Sequence, residues 1–208
     1  MKTIRHQWVF NLKWKPDGSV EQFKARLVAR GDRKRPGVNC TETYAPTASL
    51  MSLRLVLAIA VLKNWQVASF DVSGPYLYIP VNETILVKQL VTFRPGLRGK
   101  VLCLKKALYG MRQVGRCWWK FLSGILARMG FIATEVNHSL YIFRNEEMII
   151  TIWIQVDDSV VASNLADALS SFKDMLCAEL NIKWLGVVQQ IVGLECSIGE
   201  SEVTIAQW

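Results

Sequence analysis

The stretch Ile149-Ile150-Thr151-Ile152-Trp153-Ile154-Gln155-Val156-Asp157-Asp158-Ser159-Val160-Val161-Ala162 sets two adjacent acids inside what otherwise reads as sheet core on both sides. Burying two uncompensated carboxylates costs several kcal/mol each. The acids therefore sit at a solvated turn or are neutralised by a cation, and two apolar strands must meet where they lie. Asp is a common turn residue, which favours the plain turn. A two-residue hairpin turn, however, prefers Asn-Gly or Asp-Gly, and no glycine stands here. From these residues alone both readings remain open.

Asp71 adds weight to the cation. It ends a second apolar strand, Trp65 to Asp71, and precedes the turn-rich Val72-Ser73-Gly74-Pro75. Beside the Asp157-Asp158 tip on a shared sheet, Asp71 would complete a cluster of hard oxygen ligands. Magnesium prefers such ligands, keeps waters, and takes its remaining ligands from substrate phosphates. Two such ions roughly 3.5–4 Å apart activate an attacking hydroxyl and stabilise the leaving oxygen of an in-line displacement. Phosphoryl transfer needs charge and position more than a covalent nucleophile. The chain has just two histidines, His6 and His138, and no evident Ser/His/Asp or Cys/His set.

The charge distribution points the same way. The net charge is +8, yet residues 1–35 hold ten Lys/Arg against three acids and residues 94–128 hold nine against none. Residues 129–208 reverse this, with three Lys/Arg against eleven acids. Two basic segments and one acidic segment suit a polyanion-binding enzyme with metal-binding carboxylates. Ordinary solvated faces that partly pair with each other would produce the same pattern.

At 208 residues and 51% hydrophobic, the chain can bury a substantial core as one large domain or two small subdomains. Its longest apolar runs, Leu55 to Leu62 and Met148 to Ile154, fall short of the roughly 20 residues a bilayer span needs. No signal segment opens the chain, and the five scattered cysteines read as reduced thiols, so an intracellular protein with no membrane partner is expected.

Gln7 to Trp14 and Val20 to Ala29 read as a basic hairpin across Lys15-Pro16-Asp17-Gly18-Ser19, followed by a long loop from Gly31 to Ser49. Ser49 caps a helix over Leu50 to Lys63, stopped by Asn64. Thr84 to Gln89 and Lys100 to Lys106 read as extended. A helix over Arg112 to Met129 sets Trp118, Phe121, Leu122 and Ile125 on one side and stops at Gly130. Leu140 to Arg144 pairs with Met148 to Gln155, Asn164 caps a helix to Leu180, and Gln189 to Gln207 forms a last hairpin across Gly199. From Trp65 onward the order strand, helix, strand-turn-strand, helix, strand is that of a split β-α-β sandwich, an α+β plan.

Six segments together carry a family resemblance. They are Trp8-Val9-Phe10; Phe23-Lys24-Ala25-Arg26-Leu27-Val28-Ala29-Arg30-Gly31; Glu42-Thr43-Tyr44-Ala45-Pro46; Phe70-Asp71-Val72; Leu104-Lys105-Lys106-Ala107-Leu108-Tyr109-Gly110-Met111-Arg112-Gln113; and Val156-Asp157-Asp158. In this order and spacing, over nearly the whole chain, the sequence resembles the copia-type long-terminal-repeat retrotransposon reverse transcriptases. The resemblance implies polymerase-type fingers plus palm, the palm being a ferredoxin-like antiparallel sheet with helices packed on one face. Fingers would take approximately residues 1–64. The palm, with an interleaved fingers segment, would take 65–185, and the palm end or start of the connection 186–208. A full thumb and a ribonuclease H domain are not expected within this chain.

The resemblance further implies that Asp71 and Asp157 hold two Mg2+ ions, or Mn2+ in their place, with Asp158 the accompanying carboxylate and the Val72 carbonyl a further ligand. Lys24 and Arg26 would contact the triphosphate of a deoxynucleoside triphosphate, which suits Arg's fork of donors and Lys's point charge. Tyr76 resembles the aromatic gate against a ribose 2′ hydroxyl, and Gln113 the glutamine lining the nucleotide pocket. The basic run containing Arg112, Arg116 and Lys120 would track the phosphates of an RNA template and DNA primer, with affinity that falls as salt rises. Such a protein would work in cytoplasmic virus-like particles or the nucleus.

Five positions depart from the family pattern. Gln155, which flanks the primer end, stands where an aromatic residue is usual, and Pro75 stands where a small residue with a backbone N–H is usual. Tyr78-Ile79 replaces Asn-Gly, Gly115 replaces a proline, and Asn137-His138 replaces Asp-Pro. Beside an active templated polymerase two alternatives stay open, the first motivated by Gln155 and Pro75 and the second by the metal carboxylates alone. One is a catalytically dead nucleic-acid-binding remnant of the same fold; the other is a different palm-fold enzyme such as a nucleotide cyclase.

Overall fold

A computed structural model of the chain describes residues 3–14, 18–30, 44–81, 84–88, 100–199 and 201–207. They fall into two units, Met1–Tyr44 with Tyr76–Trp118, and Ala45–Pro75 with Trp119–Trp208. Strands dominate, with three α-helices among the described residues, so the chain is of mixed α+β class. No described helix is long and apolar enough to cross a membrane.

The first unit is built on the antiparallel hairpin of β1 (His6–Trp14) and β2 (Val20–Ala29), in register from His6 opposite Ala29 to Leu12 opposite Phe23. Of the expected turn, Lys15, Pro16 and Asp17 lie outside the described residues, as do residues 31–43 of the expected loop. A 3-10 turn, Pro75–Tyr78, begins in the second unit and carries the chain into the first. β4 (Leu86–Lys88) and β5 (Val101–Cys103) pair antiparallel. They are shorter than the extended runs expected, and Gln89 lies outside the described residues. Ile79, Ile85, Val87, Ala107, Met111 and Trp118 are buried here.

The second unit centres on a six-stranded antiparallel sheet. Its strands are β3 (Gln66–Val72), β6 (Ile132–Ala133), β7 (Leu140–Arg144), β8 (Ile149–Gln155), β9 (Asp158–Ser163) and β10 (Ile182–Gly186), in spatial order β10-β3-β9-β8-β7-β6. β9 is buried throughout from Ser159 to Ser163, so both faces of the sheet are covered. Alternation along a strand separates the two faces. On one, α1 (Leu50–Leu62) sets Leu53 and Leu57 against Trp153 and Val160. On the other, α3 (Ala166–Glu179) brings Phe172 to Phe70, ring centroids 6.1 Å apart. α1, from the residues expected in the fingers, thus covers the face that α3 leaves open, because a strand apolar on both sides needs cover on both.

Ser49 caps α1 as expected, its hydroxyl accepting the Met51 N–H at 3.1 Å. Trp153 donates its indole N–H to the Ser49 carbonyl at 3.0 Å, tying the helix start to the sheet. α2 (Val114–Arg128) begins two residues later than the spacing predicts, so Arg112 and Gln113 precede it. Asn164 does not cap α3. Its side chain instead accepts from Ile149 N–H and donates to the Glu147 carbonyl, both at 2.8 Å, clamping the start of β8. The tail forms three strands, β11 (Gln190–Ile191), β12 (Leu194–Ile198) and β13 (Val203–Ala206), the last two joined across Gly199.

Candidate active site

β8 runs apolar to Gln155 and β9 resumes at Asp158, leaving Val156 and Asp157 as a two-residue hairpin turn. Asp157 therefore lies in the turn while Asp158 opens β9, and without glycine the turn is strained. Val156 takes φ of 62°, a left-handed conformation that is an outlier for a β-branched residue.

Register places the third carboxylate. Asp71 lies directly opposite Asp158 across β3 and β9, and Asp158 lies opposite Gln155 across β9 and β8. On its other side Asp71 faces Lys183 across β3 and β10. Lys183, Asp71, Asp158 and Gln155 thus form one row across four strands, on the face that also carries Val160 and α1. Directly opposed residues have Cβ atoms about 4.5–5.5 Å apart. The backbone closes the corner, with Val72 N–H donating to the Asp157 carbonyl at 3.1 Å. Among the described residues no three His, Cys, Asp or Glu side chains converge on one metal-sized point. The arrangement is an opposed carboxylate pair beside a turn carboxylate, a donor set whose chemistry fits hard divalent cations.

The remaining candidates divide between the units. Lys24, Arg26, Tyr76, Arg112, Gln113 and Arg116 belong to the first, Lys120 to the second. On β2, Lys24 and Arg26 share one hairpin face, opposite Asn11 and Val9. The Arg26 guanidinium lies over the Tyr109 ring, 5.1 Å from its centroid, and the Tyr76 ring meets the same tyrosine at 4.5 Å. Arg116 donates to the Tyr44 carbonyl at 2.9 Å. The Gln113 backbone carbonyl accepts the Cys117 N–H at the start of α2, and Arg112 and Lys120 are exposed. Trp118 is core, packed near Tyr78, while Trp119 donates its indole N–H to the His138 carbonyl.

Comparison with known proteins identifies the chain. The profile of the family described as reverse transcriptase (RNA-dependent DNA polymerase) matches residues 1–208. The Retrovirus-related Pol polyprotein from transposon RE1 of Arabidopsis thaliana is 31% identical over 190 residues, 91% of this chain and 13% of that protein. The corresponding polyprotein from transposon TNT 1-94 of Nicotiana tabacum is 27% identical over 196 residues, 93% of this chain and 15% of that protein. The Transposon Ty1-BL Gag-Pol polyprotein of Saccharomyces cerevisiae is 28% identical over 201 residues, 93% and 11%.

The chain belongs to the reverse transcriptase family. It is a copia-type reverse transcriptase domain similar to those within retrotransposon Pol polyproteins, as the motifs imply, and it spans about an eighth of the length of the Arabidopsis relative. Two neighbours of the reverse transcriptase candidates carried no sequence signal of their own. Lys183 is an ordinary strand lysine until register sets it opposite Asp71. Tyr109 sits inside a recognised motif, but its contacts to Arg26 and Tyr76 depend on tertiary structure.

Proposed function

We propose that this reverse transcriptase domain adds deoxynucleotides to the 3′ end of a DNA primer on an RNA or DNA template, with Asp71, Asp157, Asp158 and the Val72 carbonyl holding two Mg2+ ions. The opposition of Asp71 and Asp158 beside the Asp157 turn is the observation that carries it. When bound, the two ions supply activation of the primer hydroxyl and stabilisation of the pyrophosphate oxygen. Lys24 and Arg26 bind the triphosphate, Tyr76 excludes a ribose 2′ hydroxyl, and Gln113 lines the nucleotide pocket. Arg112, Arg116 and Lys120 hold template and primer phosphates, and Gln155 flanks the primer end.

The strand order β10-β3-β9-β8, with α2 and α3 as the intervening helices, supports reading the sheet as a ferredoxin-like palm. Residues 65–185 supply most of that palm together with an interleaved fingers segment, and residues 186–208 begin the connection. Residues 1–64 supply the fingers, α1 excepted, since it packs on the sheet. Work in a cytoplasmic particle or the nucleus follows from the same reading.

Primer extension on poly(rA)/oligo(dT) with Mg2+ or Mn2+ tests the activity, with Asp157→Asn as the control. Incorporation that depends on Asp157 is expected, and product that persists in the variant rules the mechanism out. Gln155, in the carboxylate row where the family carries an aromatic residue, favours a second reading as a nucleic-acid-binding remnant. Salt-sensitive duplex binding without incorporation selects that reading.

A further inference from the structure

We propose that Tyr109 is a positioning residue that locks Arg26 and Tyr76 to each other, so that triphosphate binding and sugar selection act as one unit. The inference rests on the roles proposed above for Arg26 and Tyr76. Its support lies wholly within the first unit, in the way the segment Ala107-Leu108-Tyr109-Gly110 is pinned at both ends.

At one end, Ala107 N–H donates to the Ile79 carbonyl at 2.9 Å, and Ile79 N–H donates to the Tyr76 carbonyl at 3.2 Å. At the other, Ala29 N–H donates to the Tyr109 carbonyl at 2.8 Å, and Tyr109 bridges Val28 in parallel fashion. Gly110 makes this approach possible. Its φ is +84°, and a Cβ there would overlap the Ala29 carbonyl oxygen. The segment is thereby fixed both to the strand that carries Arg26 and to the turn that carries Tyr76.

The Tyr109 side chain uses that placement twice. Its ring lies 5.1 Å from the Arg26 guanidinium carbon, within cation–π range, and such contact leaves the guanidinium's in-plane N–H donors available for phosphate. The Tyr76 ring meets it at 4.5 Å and a 57° tilt, a favourable aromatic geometry. Swinging Arg26 off the ring, or letting Tyr76 shift, forfeits contact with the same residue. Tyr109 touches no reacting atom in this scheme and acts through its two neighbours.

The test is single-nucleotide incorporation of dTTP and UTP by the full chain, with dTTP binding followed by tryptophan fluorescence. Tyr109→Leu should raise the KM and Kd for dTTP about fivefold and lower discrimination against UTP by a similar factor, with kcat little changed. Tyr109→Phe, which keeps the ring, should restore both to within about twofold. Dependence on Tyr109 of kcat alone, with binding and discrimination unmoved, overturns the inference. If Tyr109→Leu fails to fold, Arg26→Lys takes its place, because a lysine keeps charge without the stacked plane. It should weaken dTTP binding and UTP discrimination together, and unchanged discrimination overturns the link. A wild-type chain that binds dTTP while Tyr109→Leu binds it equally well defeats the inference alone. A wild-type chain that neither binds nor incorporates dTTP defeats the underlying reading and the inference with it.

Discussion

Asp71 and Asp158 face each other directly across the β3–β9 ladder, two like charges on one sheet face beside a turn that carries a third. Like charges in that relation destabilise a sheet by roughly 0.2–1 kcal/mol, more at low salt. Asp158→Asn should therefore raise the melting temperature in chelator, since it relieves the repulsion and leaves Asp71 its opposite-charge neighbour Lys183, although it removes a residue proposed to hold metal. Added Mg2+ should stabilise the wild type more than the variant, because a ligand stabilises the state that binds it. Thermal melts with EDTA and with Mg2+ read both effects. A variant less stable than wild type in EDTA would show that the pair is not a strained one.

Val156 at φ 62° stores strain in the turn that presents Asp157. Val156 is partly exposed, so little packing is lost on its removal. Val156→Gly should stabilise the chain by about 1 kcal/mol, the left-handed penalty outweighing glycine's extra unfolded-state entropy. Val156→Pro, which fixes φ near −65°, should destabilise it. Chemical denaturation midpoints decide between these signs, and a stability loss in the glycine variant would count against strain.

The elements most legible in the sequence are those whose pattern is local. The Ser49 cap, the alternation of the β1–β2 hairpin and the apolar flanks of Asp157-Asp158 need no distant partner to be recognised. Asn164 misled because an Asn before a helical pattern reads as a cap, whereas its side chain finds the backbone of β8 across the sheet. The cover that α1 gives the second face was illegible for a related reason. The burial of Ser159 and Ser163 is invisible in their chemistry and appears only once α1 and α3 cover opposite faces. In the candidate site, residue types announced the carboxylates, but register alone reveals that Asp71 meets Asp158 and Lys183. Tyr109 was legible as part of a motif and illegible as a contact.

Ser159 is fully buried, and its hydroxyl has no hydrogen-bond partner among the described residues. A buried polar group left unsatisfied costs about 1–3 kcal/mol, while Ser to Ala removes one atom and creates almost no cavity. Ser159→Ala should raise stability by about 1 kcal/mol. A destabilised alanine variant, measured by thermal or urea unfolding, would mean the hydroxyl is satisfied in solution.

Tyr141 predicts a pH effect of definite sign. Burial pushes its phenol above the ordinary value of 10.0, with hydrogen bonds to Ser123 and Trp119 acting the other way. The Tyr141 and Ser123 hydroxyls lie 2.6 Å apart. The folded state therefore holds the proton more tightly than the unfolded chain does. Its contribution to stability is complete below about pH 10 and is lost as the pH rises through the raised folded value. Buried Cys196 is raised above its ordinary 9.0 for the same reason and adds a loss of the same sign in both proteins compared. Tyr141→Phe loses the hydrogen bond and should be less stable at neutral pH by about 0.5–1.5 kcal/mol. Lacking the ionisable phenol, it should lose less on alkalinisation, so the gap between the two proteins narrows above pH 10. Urea unfolding across the alkaline range measures that gap, and parallel curves would place the Tyr141 ionisation equally in both states.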